Sequence, residues 1–161
     1  MDNEDVVRPF ADKIEDLQGF DALVFSDYNK GFVTYDLIEG LIKHFRGPVF
    51  IDTKKTDLER FQSAWVKINE LEYSKITSEC SGLIVTRGAN GASVIHHDIN
   101  CSAPKVEIGD VCGAGDTFLS ALAVEYLNTH DIEQAVKFAI KAASITVQHS
   151  GVYAPTLKEI L

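Results

Sequence analysis

Long apolar runs are absent from this sequence: no stretch approaches the roughly 18 consecutive apolar residues of a membrane-crossing helix. The opening MDNEDVVRPF lacks the basic flank and apolar core of a secretory signal, so the chain is expected in the cytoplasm. Cysteine is scarce. Cys80, Cys101 and Cys112 are an odd number without CxxC or metal-type spacing, which fits free thiols in a reducing cytosol better than a disulfide frame. All three are expected to be small buried hydrophobes. Cations are outnumbered, with 15 Lys and Arg against 24 Asp and Glu and a formal charge of -9. That balance argues against a nucleic-acid groove or an anionic membrane surface as a general partner, so any anionic ligand must be held locally. Repeats, low-complexity tracts and linkers are missing too, and glycine and proline are scattered as punctuation. What is present, 161 residues of which 45% are hydrophobic and 24% charged, suits one core and a single domain over 1–161. The histidines, including His96, His97 and His149, show no ligand spacing and are expected to be structural.

Helical and strand patterns alternate along the chain. Val6, Val7, Phe10, Ile14 and Leu17 stand at helical spacing over residues 6–17, and ALVFS (22–26) is a short apolar run typical of a buried parallel strand. Thr34 can cap a second helix carrying Leu37, Ile38, Leu41, Ile42 and Phe45, which Gly47-Pro48 stops before a strand over 49–52. Strands over 65–68 and 82–86 follow, and GANGASVIHH suggests a turn into an antiparallel neighbour. Two helices, about 116–127 and about 132–148, close the chain, with Asp131 able to cap the second. This order predicts an α/β fold, a mostly parallel sheet covered by helices on both faces. Ligands of such sheets sit at the carboxyl ends of the strands. That singles out Ser26-Asp27-Tyr28, Asp52, Asn69 and Thr86-Arg87-Gly88.

The segment DVCGAGDTF (110–118) stands where the first of the two last helices opens. The first amides of a helix lack intrahelical partners and carry the positive end of its dipole, so a loop without bulky side chains there can wrap an anion. Gly113-Ala114-Gly115 supplies that access, and Asp116 adds a carboxylate able to take a proton from an alcohol. No Gly-Lys-Ser/Thr follows, and Phe118 stands where a dinucleotide fingerprint needs its third glycine. The same letters also suit a tight turn that packs a helix onto a sheet.

DVCGAGDTF resembles the carboxyl-side signature of the ribokinase-like (PfkB) carbohydrate kinases, written DTxGAGD. INELE contains the family's Asn-x-x-Glu pattern at Asn69 and Glu72, and VTRGANGA resembles its nucleotide loop at Thr86, Arg87, Gly88 and Gly91. SDYNKG and IDTKKTDLERF are similar to the SDYxKG and DPKGxDFxRY stretches of the heptose-phosphate kinases of lipopolysaccharide precursor synthesis. The resemblance implies ATP-dependent phosphorylation of a sugar or sugar phosphate. Asp116 is then the general base, and the amides of Gly113, Ala114 and Gly115 form the anion hole for the transferring phosphoryl group. It further implies Mg2+ organised through water by Asn69 and Glu72, and a monovalent cation such as K+ near Asp110, Val111 and the Ser150-Gly151 turn. Arg87, Gly88 and Gly91 would face the nucleotide. Lys54 suits either a phosphate or nucleotide contact or a solvated surface position. Asp27 and Lys30 fall at the edge of the sugar site, although the SDY turn could equally be a helix-capping loop.

The resemblance covers what would be the carboxyl-terminal half to two-thirds of such a kinase, without the amino-terminal strands, the glycine-rich sugar segment and the small β-sheet lid. A fold truncated on the amino-terminal side leaves exposed strand edges, so a homodimer or association with a missing amino-terminal half is expected. The segment between Glu72 and Gly82 is shorter than the family's, so a flank of the sheet is expected to lie bare. Cys112 replaces a usual threonine, and Ile140-Lys141 a common asparagine. The competing reading is a truncated, non-catalytic nucleotide-binding or interaction module.

Overall fold

A computed structural model of the chain describes residues 14–161. Four apolar runs form the parallel part of a sheet: β1 (Leu23–Asp27), β2 (Val49–Thr53), β3 (Trp65–Asn69) and β4 (Gly82–Thr86). They pair in chain order, and β5 (Ala92–Val94) and β6 (Ile99–Cys101) continue the sheet antiparallel beyond β4. The helices are α1 (Tyr35–His44), α2 (Glu70–Tyr73), α3 (Ala114–Thr129), α4 (Ile132–Thr146) and α5 (Leu157–Ile160). The architecture is the expected α/β one. The helix expected over 6–17 falls mainly outside the described residues, whose first element is a 3-10 turn at Ile14–Gly19.

Because successive strand residues point to opposite faces, each strand feeds two cores. Phe50 and Ile84 pack with Phe118, Leu119 and Leu122 of α3 and Val136 and Ala139 of α4. Val49, Ile51, Val66, Ile68, Leu83 and Val85 face the other way, against Ile38 of α1 and Leu58 and Phe61. The same parity decides where the polar strand ends point. Ser26 is in register with Asp52, and Asp52 with Lys67, so these three form a row at the carboxyl edge on the side of Phe50, under α3. Asp27 and Thr53, also in register, turn to the opposite face.

Local chemistry sets the helix boundaries. Thr34 accepts the Leu37 amide at 3.1 Å to open α1, and Asp131 accepts those of Glu133 and Gln134 at 2.9 and 3.1 Å to open α4. α3 opens at Ala114 rather than Asp116, which puts Asp116 in its first turn, and α4 ends at Thr146 rather than Gln148. Two expectations need correction. The flank beside β4 is not bare: Leu83 and Val85 are fully buried, with Tyr73 and Ile76 packed against their cluster, so the short segment before β4 does the covering itself. Cys80 and Cys101 are buried as expected, but Cys112 is exposed, because it lies in the loop that leads into α3 instead of in an element.

Candidate active site

The row Ser26, Asp52, Lys67 forms the floor of the site, and the first turn of α3 forms its roof. Gly113 caps α3 at φ 78, a backbone region that strains any other residue, and an added Cβ would stand 3.2 Å from Val152. Asp116 projects toward the end of β1, where its carboxylate accepts from the Ser26 hydroxyl at 3.3 Å and the Tyr28 hydroxyl at 3.1 Å. Hydrogen bonding to Asp116, and then the charge of that carboxylate, raise the Tyr28 phenol above its ordinary value, so it stays a donor. Beneath the turn, the buried Asp27 carboxylate takes hydrogen bonds from Thr53 Oγ1 at 2.8 Å and the Asn29 amide at 2.9 Å, and pairs with Lys55 at 3.1 Å.

Lys67 Nζ lies 2.6 Å from Asp52 Oδ2. Burial holds the Asp52 carboxyl above the usual range; Lys67 offsets part of this, and the charges of Glu72 and Asp116 add to it. At the end of β3, Asn69 and Glu72 cap α2 reciprocally: Asn69 Oδ1 accepts the Glu72 amide and Glu72 Oε2 the Asn69 amide, both at 2.8 Å. The remaining Glu72 oxygen is 3.8 Å from Lys54, whose side chain is half exposed.

Lys54, Asn69, Glu72, Gly113, Gly115 and Asp116 therefore surround one polar cavity of about 210 Å³. Asp27 also lines it, although its carboxylate is turned to Thr53 and Lys55. Lys30 is exposed and does not line it. Thr86, Gly88 and Gly91 instead line an adjoining apolar cavity of about 370 Å³, with Ala114, Phe118 and Ile140. Gly91 has φ 92, and a Cβ there would fall 1.9 Å from the Cys101 carbonyl, so the loop at this wall requires glycine. Arg87 lines neither cavity; it donates to Ser93 and lies 3.5 Å from Glu70. Lys54, expected among the nucleotide contacts, is on the polar side only.

Asp110 ties the loop before α3 to the 150–151 turn, accepting the Cys112 amide at 3.0 Å and the Gly151 amide at 3.1 Å. These amides, that of Cys112 foremost, hold its carboxyl below the usual range. Val111 is exposed and lines the apolar cavity. The Ala114 amide donates to the Val111 carbonyl at 3.3 Å, so it must leave that bond before it can serve an anion. Among the described residues no group of three or more His, Cys, Asp or Glu is placed to hold a metal ion directly. The oxygens that Asn69 and Glu72 bring to the polar cavity are of the kind that holds Mg2+ through water. Sequence reasoning passed over Lys67. A lysine at an inward position of the apolar run WVKI was the available signal.

The profile of the pfkB family of carbohydrate kinases matches residues 48–159. The chain belongs to this family. The bifunctional protein HldE of a Nitratiruptor species is 30% identical over 167 residues, which take in 89% of this chain and 36% of that protein. An uncharacterized sugar kinase of Buchnera aphidicola subsp. Schizaphis graminum is 29% identical over 171 residues, with 91% of this chain and 54% of that protein covered. A ribokinase of Arabidopsis thaliana, solved with ribose and ATP, shares the fold at TM-score 0.75 and 22% identity, over 92% of this chain and 57% of the ribokinase. The chain thus spans a little over a third of its HldE relative. No helix of the described residues is long and apolar enough to cross a membrane.

Proposed function

We propose that this chain is the nucleotide-binding and catalytic portion of an ATP-dependent carbohydrate kinase acting on a hydroxyl of a sugar or sugar phosphate, of the heptose-phosphate type. The observation that carries this reading is the Asp116 carboxylate in the first turn of α3. It already accepts from two hydroxyls of the chain at 3.3 and 3.1 Å, in a polar cavity that adjoins an apolar one. An acceptor alcohol donating to the same carboxylate loses its proton to Asp116 as its oxygen attacks the γ-phosphorus. The bond from that phosphorus to the bridging oxygen breaks and ADP departs. The amides of Gly113 and Gly115 at the positive end of α3, joined by that of Ala114 once it leaves the Val111 carbonyl, would face the developing charge. The apolar cavity beside Thr86, Gly88 and Gly91 suits the base and ribose.

Mg2+, held through water by Asn69 and Glu72, would screen the phosphate charge, and K+ is assigned to Asp110, Val111 and the Gly151 turn. Three free cysteines suit a cytoplasmic setting. The partner is a second copy of the chain or the amino-terminal half of such a kinase.

The test is ADP release from magnesium ATP with a panel of sugars, including heptose and hexose phosphates, beside Asp116→Asn. Sugar-dependent turnover should fall by ~10²- to 10⁴-fold in the variant. Equal rates would remove Asp116 from the role of base. The alternative, a nucleotide-binding module without turnover, draws support from Tyr28, which is 57% exposed at the acceptor side. ATP binding with no turnover on any sugar would favour it.

A further inference from the structure

We infer that Lys67 is the ammonium that holds the phosphate chain where the two cavities meet, exchanging Asp52 for a phosphoryl oxygen when nucleotide enters; this rests on the nucleotide-binding reading above. β3 is otherwise apolar through its centre, and Lys67, 7% exposed in its side chain, is buried in it. An ammonium in such a place must be compensated, because taking the charge from water is costly. Its compensation here is incomplete. Of three N–H donors, one is used, by Asp52 at 2.6 Å, and no other partner stands among the described residues.

The space beside the remaining donors is kept open by the loop that begins α3. A Cβ at Gly115 would come within 3.0 Å of Lys67 Nζ and 3.7 Å of Asp52 Oδ2, so glycine leaves room next to the ammonium. Lys67 and Gly115 both line the polar cavity and the apolar one, so the charge stands at the junction between them. The polar cavity is otherwise acidic. Asp52, Glu72 and Asp116 line it with Asp27, and its other lining lysine, Lys54, is half exposed beside Glu72. A polyphosphate reaching Asp116 therefore meets repulsion, and Lys67 is the buried cation available to oppose it. Asp52 shields that cation while no phosphate is present.

The test compares binding of magnesium ATP and of adenosine to the full chain, by calorimetry, in wild type, Asp52→Asn and Asp52→Asn/Lys67→Met. The double variant removes both charges, so it leaves no unpaired carboxylate, and thermal unfolding checks that it is folded. Wild type is expected to prefer ATP, and Asp52→Asn to keep that preference. The double variant should lose roughly 10- to 100-fold in ATP affinity while adenosine affinity is unchanged. A merely structural pair would make the two variants alike. Equal ATP affinity in both, or a parallel fall for adenosine, overturns the assignment. Wild type that binds adenosine but gains nothing from the phosphates overturns Lys67 and leaves the base cavity standing. Wild type that binds neither overturns the nucleotide reading and this inference together.

Discussion

Asp27 shows how one buried residue shapes a site whose chemistry is left to its neighbours. Its carboxylate, 2% exposed, is fixed by Thr53, Lys55 and the Asn29 amide, and that last bond holds Asn29 in the left-handed region at φ 55. Asparagine tolerates this backbone better than most residues. The turn so formed presents Tyr28 to Asp116. Lys55→Met would leave the carboxylate buried without its cation and is expected to destabilise the chain by about 3 kcal/mol. Urea unfolding measures this, and an unchanged midpoint would mean that Thr53 and the backbone suffice. The residue types of this turn were legible in SDYNKG, as was the carboxylate of GAGD. The Asp52–Lys67 pair was not, because it depends on the register of β2 against β3, and nothing in either strand alone states which residues stand side by side.

Elements were legible where apolar periodicity and caps agreed. Thr34 and Asp131 each start a helix where their letters say one should start, whereas the Asn69–Glu72 pair, expected to organise magnesium, turns out to cap α2 as well. The segment between Glu72 and Gly82 misled because its covering role comes from isolated side chains, Tyr73 and Ile76, with no periodic pattern. The short α5 was also unmarked. Its anchor is Glu159, whose carboxylate accepts from the Thr156 hydroxyl and amide at 2.6 and 2.7 Å and from the Tyr153 hydroxyl at 2.6 Å. The Thr156 hydroxyl first, then Tyr153, lowers its carboxyl from 4.5 to about 2. A folded value below the unfolded one means that this anchoring is complete above pH 4.5 and lost as pH falls toward about 2. Carboxyl NMR titration should show Glu159 titrating near the lower value, with α5 amide protection fading in that window. A midpoint at the ordinary value would contradict the anchor.

For the whole molecule, the alternation of strands and helices was enough to give an α/β sheet with two covered faces. Unpaired polar groups of the backbone concentrate at the sheet edges. Among the described residues β1 pairs on one side only, with β2, and Phe20, Val24 and Tyr28 around it are 63%, 49% and 57% exposed. An apolar edge of this kind templates pairing with another strand. Sedimentation velocity is expected to show a dimer that Val24→Lys shifts toward monomer. A wild-type monomer across dilution would overturn the homodimer.

The hydrogen bond from Ser26 to Asp116 spans 90 residues of sequence. Closing so long a loop is entropically slow, and its contacts are gained only after β1, β2 and β3 have aligned and α3 has docked on them. Assembly of Asp116 with its hydroxyl donors Ser26 and Tyr28 is therefore expected late in folding. A nascent or half-denatured chain would hold separate strands and helices without the Tyr28–Asp116 contact, so recovery of that contact after denaturation would report completion of the sheet rather than formation of its parts.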